Sequence, residues 1–346
     1  MPCFWAKAAS RGVEGPSREG ESPTTLMTAT RCMGGAFQRR RRLATPGNAG
    51  ITDEGCGREF PLAGLNTMRS FFSLALTLIP AFADPAPAAG KWQPLFRGVE
   101  HRLDVTAEPR PMRVHQVRID TRAEGGSFFT TPANGDAPGE VTGRRTATFL
   151  KEFGLEVAVN GTGFKPITGE GKPVDVLGLS VSDGSVVSEA DLKSGNPVFL
   201  VTAKNQARIL RAPLRKEDWA DADDALQGWY GANGMLVDDG EIVTTTRDVH
   251  PRTAVGVSKD GRQVYLVVVD GRQKGFSEGI TLVELASWMK QLGCWDAINL
   301  DGGGSSTLVV KKPDGTPRIV NSIPGGVQRS VANHLGVHAD PLPASN

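Results

Sequence analysis

The sequence contains few of the side chains on which many familiar catalytic signatures depend. It has four cysteines, five histidines and two tyrosines among 346 residues. The histidines show no metal-ligand spacing, and neither H-E-x-x-H nor G-x-x-x-x-G-K-[ST] occurs. The formal net charge is only +1, so the whole chain gives no strong electrostatic reason to bind nucleic acid. We therefore predict neither a zinc hydrolase of that type nor a P-loop enzyme.

Long apolar runs are also missing, but one short run has the character of a secretion signal. Met68-Arg69 opens it, residues 70–79 are mostly apolar, and Ala81-Phe82-Ala83 closes it. A basic start, a short apolar segment and an A-x-A site are the three parts of a signal peptide. The run is too short to span a bilayer as a mature helix. We therefore predict a signal peptide at 68–83 and a mature chain exported to the periplasm or beyond, without a membrane span.

Residues 1–67 mix the basic run 39–42 with scattered Gly, Pro, Ser and Thr, a composition that cannot bury a core. Because a signal peptide belongs at an N-terminus, we expect translation to begin at Met68. The preceding residues are then a non-native or disordered extension, and a genuine basic arm is the alternative. Removing 1–83 takes away ten of 39 basic and six of 38 acidic residues, which leaves a formal charge of −3. It also leaves Cys294 without an internal disulfide partner.

Residues 84–96 are interpreted as a linker, and 97–340 as one domain. Alternating or continuous apolar stretches predict strands. These stretches are 112–120, 155–159, 176–181, 197–202, 207–210, 254–257, 264–269 and 308–310. Helices are predicted at 217–226, which is acidic, and at 280–293, where Thr281 and Glu284 form a capping box. Many strands with few helices predict the α+β class, with a mixed β-sheet core and a few packed helices.

The segment 295–310, WDAINLDGGGSSTLVV, is the most informative part of the chain. Ile298 and Leu300 alternate with polar residues, which predicts a strand that ends on Asp301. Three glycines follow, and they allow a ligand to approach the main chain closely. Hydroxyl side chains come next, so the segment suits an anionic, hydroxyl-rich substrate. The alternative is a glycine hairpin capped by an aspartate.

A second carboxylate, Asp270, follows the apolar strand 264–269. If the two strands are neighbours in one sheet, both carboxylates lie at the same edge. A pair of carboxylates is what glycosyl transfer needs. Either aspartate could instead cap a turn, as Asp-Gly pairs often do.

Two arginines and an Asn-Gly pair complete the candidate set. Arg252 precedes an apolar strand, and Arg329 follows a pair of glycines. Guanidinium groups bind phosphate through paired hydrogen bonds, although a lone arginine is usually a solvated surface charge. Asn160-Gly161, at a strand end, would bind sugar hydroxyls or shape a turn.

Five segments together resemble the phosphodiester glycosidase domain over roughly residues 97–338. They are AVNGTGF (158–164), PRTAVGVSKDG (251–261), VVVDGRQ (267–273), GITLVELASWMKQLGCWDAINLDGGGSSTLVV (279–310) and QRSVANHLGV (328–337). The sequence departs from the family in one place, because NGTGF stands where family members often read NGGFF. Thr162 and Gly163 are therefore expected to alter the pocket.

The resemblance implies a hydrolase that cleaves between a sugar's anomeric carbon and a phosphodiester oxygen. We expect it to use no cofactor and no metal. Asp301 and Asp270 would be catalytic, one of them facing the anomeric carbon as nucleophile or as base for water. The substrate-binding residues would be Asn160, Gly161, Arg252, Arg272, Asn299, Gly302, Gly303, Gly304, Ser305 and Arg329. The partner would be a phosphorylated carbohydrate, such as an N-acetylglucosamine-1-phosphodiester or a cell-envelope glycan, and not nucleic acid.

Two other interpretations remain open. A non-catalytic protein that binds cell-envelope glycan would use the same groove without turnover. A metal-dependent phosphodiesterase would use Asp301 as a ligand and would lose activity on chelation.

We predict that the exported protein starts at or near Asp84, because Ala81-Phe82-Ala83 fits a signal-peptidase site. N-terminal sequencing of the secreted or periplasmic form measures this directly. A mature protein that still carries Arg39 would contradict the predicted start site.

Overall fold

A computed structural model describes residues 90–343, which form 21 strands, two α-helices and four short 3₁₀ turns. The predicted extension and signal peptide lie outside these residues. No helix within 90–343 is long and apolar enough to cross a membrane.

The first eleven strands are β1 (Gln93–Phe96), β2 (Val99–Thr106), β3 (Met112–Asp120), β4 (Ser127–Thr130), β5 (Val141–Thr142), β6 (Val157–Asn160), β7 (Phe164–Lys165), β8 (Pro173–Val176), β9 (Ser180–Ser182), β10 (Ser185–Ser188) and β11 (Val198–Thr202). The remaining strands are β12 (Ala207–Leu210), β13 (Ala222–Gln227), β14 (Met235–Asp238), β15 (Glu241–Ile242), β16 (Arg252–Val257), β17 (Gln263–Val269), β18 (Asp296–Asn299), β19 (Leu308–Lys311), β20 (Pro317–Ile319) and β21 (His334–His338). The helices are α1 (Thr146–Glu152) and α2 (Leu282–Gln291), and the 3₁₀ turns are Lys216–Trp219, Gly231–Gly234, Gly303–Ser305 and Pro324–Gly326.

The strands form four sheets rather than the one mixed sheet that the sequence predicted. The central sheet has eight strands in the order β1-β2-β3-β17-β16-β18-β14-β15. Two five-stranded sheets run β10-β9-β13-β11-β12 and β20-β19-β6-β21-β4, and a small sheet runs β5-β8-β7. Every strand pair described is antiparallel. The fold is therefore dominated by β-structure, and the α+β label describes it only coarsely.

The central sheet is covered on both faces. Val255 and Leu266 lie on one face, in a buried cluster with Val159 of β6 and Phe199 of β11. Residues on the other face pack against Leu285 and its neighbours on α2. A sheet buried on both faces needs apolar side chains at consecutive positions. This explains the unbroken apolar run of β17.

The helix predicted at 280–293 is present as α2, and its cap is the predicted one. The Thr281 hydroxyl accepts a hydrogen bond from the Glu284 amide at 3.1 Å, and the Glu284 carboxylate accepts one from the Thr281 amide at 2.9 Å. These two bonds satisfy amides that the first turn of a helix leaves unpaired.

The helix predicted at 217–226 is wrong. The 3₁₀ turn Lys216–Trp219 comes first, and the buried strand β13 follows. The acidic composition suggested a solvated face, but Asp224 is buried, and its carboxylate accepts bonds from the Thr130 amide and hydroxyl at 2.7 and 2.9 Å. Burial raises the pKa of Asp224 to about 6. The strand was not recognised because a buried aspartate with internal hydrogen-bond partners stands where an apolar residue is expected.

One edge of the central sheet gathers several candidate residues. Strands β17 and β18 are not neighbours, because β16 lies between them and pairs with both. Since both ladders are antiparallel, β17 and β18 run in the same direction and end at the same edge. Arg252 begins β16 there, opposite Val269 at the end of β17. Antiparallel pairing through a middle strand thus brings Asp270 and Asp301 to the same edge.

Candidate functional site

A cleft of about 230 Å³ opens at this edge of the central sheet. Its lining residues are Trp229, Tyr230, His250, Arg252, Arg272, Asp301, Gly302, Gly303, Gly304 and Arg329. Seven of these are site residues predicted from the sequence. Larger cavities of about 660, 490 and 350 Å³ lie elsewhere in the described part, and none of the predicted residues lines them. The cleft is therefore the candidate active site.

Asp301 is the carboxylate of the cleft. Its main-chain amide donates to the Gly161 carbonyl at 3.0 Å, and its Oδ1 accepts from the Gly302 amide at 2.9 Å. Burial raises the pKa of Asp301, while hydrogen bonds from Ser305 and Gly302 and the charge of Arg329 act in the opposite direction. A partly desolvated carboxylate of this kind suits a nucleophile or a base.

The glycine run does not offer the row of free amides that the sequence suggested. The Gly302 amide bonds Asp301, and the Gly303 amide donates to the Pro251 carbonyl at 2.9 Å. The glycines instead make room for cations. A Cβ at Gly303, where φ is +63°, would lie 3.0 Å from the nearest Arg272 nitrogen, and one at Gly304 would lie 2.6 Å from an Arg329 nitrogen. Glycine is needed here so that two guanidinium groups can approach the main chain.

Arg329 and Arg272 reach the cleft from different loops. Arg329 Nη1 donates to the Ser305 hydroxyl at 3.2 Å, so Ser305 lies buried between Arg329 and Asp301. Arg272 has a left-handed backbone, with φ 60°, and its Nη2 lies 3.5 Å from His250 Nδ1. Residues held in this sparsely populated region often occur at functional sites.

Arg252 is the third cation, and it is only 2 % exposed. Its Nη2 donates to the Asp248 carbonyl at 3.0 Å, and its guanidinium lies 5.0 Å from the centre of the Tyr230 ring. Its Nε is buried without a hydrogen-bond partner. Burial lowers the pKa of Arg252, yet an arginine stays protonated at neutral pH. Three positive side chains therefore face one carboxylate.

His250 lines the same cleft but was not singled out by the sequence. Burial, together with the charges of Arg252 and Arg272, lowers the pKa of His250. The ring is therefore neutral at neutral pH and can accept or pass on a proton. The sequence carries little signal for this histidine, because neither its burial nor its contact with Arg272, which is 22 residues away in the chain, can be read from neighbouring residues.

Four predicted substrate-binding residues are absent from the lining of the cleft, namely Ser305, described above, and Asn160, Gly161 and Asn299. Asn160 is fully buried and donates to the Asp301 carbonyl at 2.7 Å. Gly161 packs against Asn333, whose Oδ1 would lie 2.3 Å from an added Cβ. Asn299 is fully buried and donates to the carbonyls of Trp229 and Leu300. These residues hold the walls of the cleft in place, and their contact with substrate stays a prediction.

Asp270 is also absent from the lining of the cleft. It is 1 % exposed, and its Oδ1 accepts from the Ser322 amide at 2.9 Å. Its Oδ2 lies 3.5 Å from Nε2 of the buried His115. The bond from Ser322 connects the turn that carries Arg272 to the loop that leads to Arg329, while His115 belongs to β3. These contacts favour a positioning role, and the catalytic role assigned to Asp270 stays a prediction.

Among residues 90–343, one group of acidic side chains has the geometry to hold a metal ion, namely Asp238, Asp239 and Asp296. Arg211 forms ion pairs with all three, including one with Asp239 at 2.8 Å. The group therefore already has a counter-charge, and none of its members lines the cleft.

Comparison with known sequences identifies relatives of this chain. A family model for phosphodiester glycosidases matches residues 153–338. A prophage-derived protein from Bacillus subtilis is 38 % identical over 190 residues, which cover 52 % of this chain and 27 % of that protein. N-Acetylglucosamine-1-phosphodiester α-N-acetylglucosaminidase from Bos taurus is 30 % identical over 195 residues, which cover 50 % of this chain and 35 % of that protein. The chain thus spans about a third of the length of these relatives.

Solved structures share the fold. The catalytic domain of zebrafish N-acetylglucosamine-1-phosphodiester α-N-acetylglucosaminidase, auto-inhibited by its pro-peptide, is 20 % identical with a TM-score of 0.53, over 72 % of this chain and 88 % of that one. A protein from Synechocystis is 17 % identical with a TM-score of 0.51, over 74 % of this chain and 64 % of that one. The sequence matches support a glycosidase-type function at modest identity, and these structures support the fold.

We predict that Asp301→Asn leaves the protein at least as stable as the wild type at neutral pH. Burial raises the pKa of Asp301 above its ordinary value of 3.8, so the ionised side chain opposes folding once the pH exceeds that value. The stability advantage of the variant over the wild type should therefore be absent below pH 3.8 and grow as the pH rises from 3.8 through the raised pKa of the folded protein. Chemical denaturation as a function of pH measures the effect.

Asp314→Asn is the matched control, because hydrogen bonds from Thr316 lower the pKa of that exposed carboxyl to about 2. Its contribution is present above pH 3.8 and is lost as the pH falls, so the two variants should shift stability in opposite directions. A clear loss of stability in Asp301→Asn at neutral pH would show that the ionised carboxylate is stabilising.

Proposed function

The chain belongs to the phosphodiester glycosidase family, and we propose that it hydrolyses the bond between the anomeric carbon of a sugar and a phosphodiester oxygen. One observation carries the proposal. Arg252, Arg272 and Arg329 line the same small cleft as Asp301, and Asp301 is the single carboxylate among the described residues that line it. Three guanidinium groups suit the phosphate, and the carboxylate suits the carbon that becomes cationic.

The proposed reaction breaks the bond between the anomeric carbon and the bridging oxygen. The electron pair of that bond leaves with the oxygen, so the departing group is a phosphate monoester. Such a leaving group needs little help from a general acid. The main requirement is to hold its developing charge, and preorganised arginines in a partly enclosed cleft do so.

Asp301 faces the carbon in this proposal, and two pathways fit its position. As a base it takes a proton from the water whose oxygen bonds to the anomeric carbon. As a nucleophile it forms a glycosyl-enzyme bond that water then hydrolyses. The neutral His250 is the other titratable side chain in the described lining that can accept a proton at neutral pH. Asp270 lies outside the lining of the cleft and, through its bond from the Ser322 amide, helps to position the segments that carry Arg272 and Arg329.

We also propose that the protein acts after export, on a phosphorylated carbohydrate of the kind found in cell envelopes. The signal-peptide pattern at 68–83 supports export. The excess of positive charge in the cleft supports an anionic substrate.

The deciding experiment incubates the purified protein with a panel of sugar-1-phosphodiesters, with and without a chelator. Free reducing sugar and phosphate monoester are measured by ³¹P and ¹H NMR. Release of both in the presence of the chelator is the expected result. Saturable binding without release would identify a glycan-binding protein, and loss of release on chelation would identify a metal-dependent enzyme.

We predict that Asp301→Asn lowers kcat/KM on one such substrate by about 10²–10⁴-fold, since it removes the charge that faces the cationic transition state. Asp270→Asn should cost less, because its contacts position loops without lining the cleft. Steady-state kinetics of both variants, with folding checked by circular dichroism, measures the difference. A folded Asp301→Asn enzyme within tenfold of wild type, or equal losses in the two variants, would show that the reaction centre lies elsewhere.

We predict that Arg329→Ala loses most activity with little change in melting temperature, because its guanidinium is held by one hydrogen bond to Ser305. Arg252→Ala should lose activity and stability together, since that side chain is 2 % exposed and lies against Tyr230. Competitive inhibition by inorganic phosphate reports on the phosphate site directly and should weaken in both variants. Unchanged phosphate inhibition in Arg329→Ala would identify that arginine as structural.

A further inference from the structure

Two aromatic side chains line the cleft without belonging to any core. Trp229 and Tyr230 follow β13 and precede the 3₁₀ turn at Gly231–Gly234. Trp229 is half-buried, and Tyr230 is 39 % exposed. Neither is a member of the hydrophobic clusters of the described residues. Large apolar rings that face a polar cleft leave surface available for a ligand.

The backbone at Tyr230 is strained. Tyr230 has φ 102° and ψ 19°, a region that bulky residues seldom adopt. Bonds on both sides hold it there. The Trp229 amide donates to the Asn299 carbonyl at 2.9 Å, the Asn299 side chain donates to the Trp229 carbonyl at 3.2 Å, and the Gly231 amide donates to Asn196. Strain that the surrounding structure maintains is typical of functional positions.

The two rings have different neighbours in the cleft. Tyr230 lies under the guanidinium of Arg252, on the side where the cations gather. The Trp229 ring lies against Gly163, where an added Cβ would come within 2.6 Å of Cε3 and Cζ3. Gly163 belongs to the loop whose Gly161 carbonyl accepts the Asp301 amide. The indole thus lies beside the loop that is bonded to Asp301, and the phenol ring lies beside Arg252.

We propose that Trp229 is the platform on which the pyranose ring of the substrate stacks, an inference that rests on the proposed function. The C–H bonds on one face of a pyranose form an apolar surface that matches an aromatic face. When the anomeric carbon gains positive charge next to Asp301, the electron-rich indole face attracts that charge as well. Phosphate is held by the arginines, so the sugar and the phosphate occupy separate ends of one cleft.

The departure noted in the motif NGTGF acquires a physical reason under this proposal. Gly163 has no side chain, and the space beside its Cα is occupied by the Trp229 ring. A larger residue there would push the indole away from its present position. Gly163 and Trp229 therefore act as a pair that sets the shape of the sugar subsite.

The test compares Trp229→Phe, which keeps an aromatic face, with Trp229→Leu, which keeps apolar packing but has no such face. Binding of methyl α-pyranosides of glucose, galactose, mannose and N-acetylglucosamine is followed by saturation-transfer NMR, and phosphate binding by inhibition or calorimetry. At least one pyranoside should bind the wild type. Its affinity should fall about tenfold in Trp229→Leu and much less in Trp229→Phe, while phosphate binding stays unchanged in both.

Trp288→Leu is the matched control, because that half-buried indole lies on α2 and packs against the core, and it does not line the cleft. It should leave pyranoside binding unchanged. Gly163→Ala should weaken pyranoside binding in the same way as Trp229→Leu, because it displaces the ring without removing it. Equal behaviour of the Phe and Leu variants, unchanged affinity in Trp229→Leu, or failure of every pyranoside to bind the wild type would overturn the proposal.

The binding measurement separates this inference from the proposed reaction. Trp229-dependent binding of a pyranoside by a protein that releases no sugar from any phosphodiester would support the platform and reject the hydrolase. Hydrolysis whose kcat/KM is unchanged in a folded Trp229→Leu variant would support the hydrolase and reject the platform.

Discussion

The position of the cleft depends on one buried amide, the side chain of Asn160. Its Nδ2 donates to the Asp301 carbonyl at 2.7 Å, and its Oδ1 accepts from the Thr253 hydroxyl at 2.8 Å and the Thr307 amide at 3.1 Å. These bonds connect β6, in a five-stranded sheet, to β16 of the central sheet and to both ends of the glycine-rich turn. Leaving any of these buried groups unpaired costs about 1–3 kcal/mol. The carboxylate and the glycines can keep their places because this side chain fixes the crossing of the two sheets.

Charge is distributed unevenly around that crossing. Three arginines converge on one partly desolvated carboxylate, and like charges at short range repel. Polar contacts hold these arginines in place, such as those of Arg329 with Ser305 and of Arg252 with the Asp248 carbonyl. An anion would relieve the repulsion and complete the charge balance. Under the proposed function, the phosphate of the substrate would supply that anion.

Local signals made part of this structure predictable. The capping box at Thr281 and Glu284 identified α2, and the apolar runs identified β16 and β17, because each signal lies within a few neighbouring residues. The family resemblance brought seven lining residues together. The buried acid Asp224 hid a strand, since its partner Thr130 is distant in the chain. Trp229 and Tyr230 were not predicted as site residues for the same reason. The residues that hold them at the cleft, Gly163, Arg252 and Asn299, are distant in the chain.

The antiparallel ladders have a kinetic consequence. Strand β3 pairs with β17 and β6 pairs with β21, so the partners are separated by 142 and 173 residues of intervening chain. Pairings that close such long loops form slowly, because the entropy of loop closure must be overcome before the contacts stabilise it. The cleft draws its walls from the start of β16 and the segments around 229, 250, 272, 301 and 329, and Asn160 of β6 holds them in place, so the cleft is complete only after these pairings have formed. The complete cleft is therefore expected to be among the last features that the folding chain forms, and unpaired strand edges are exposed until then.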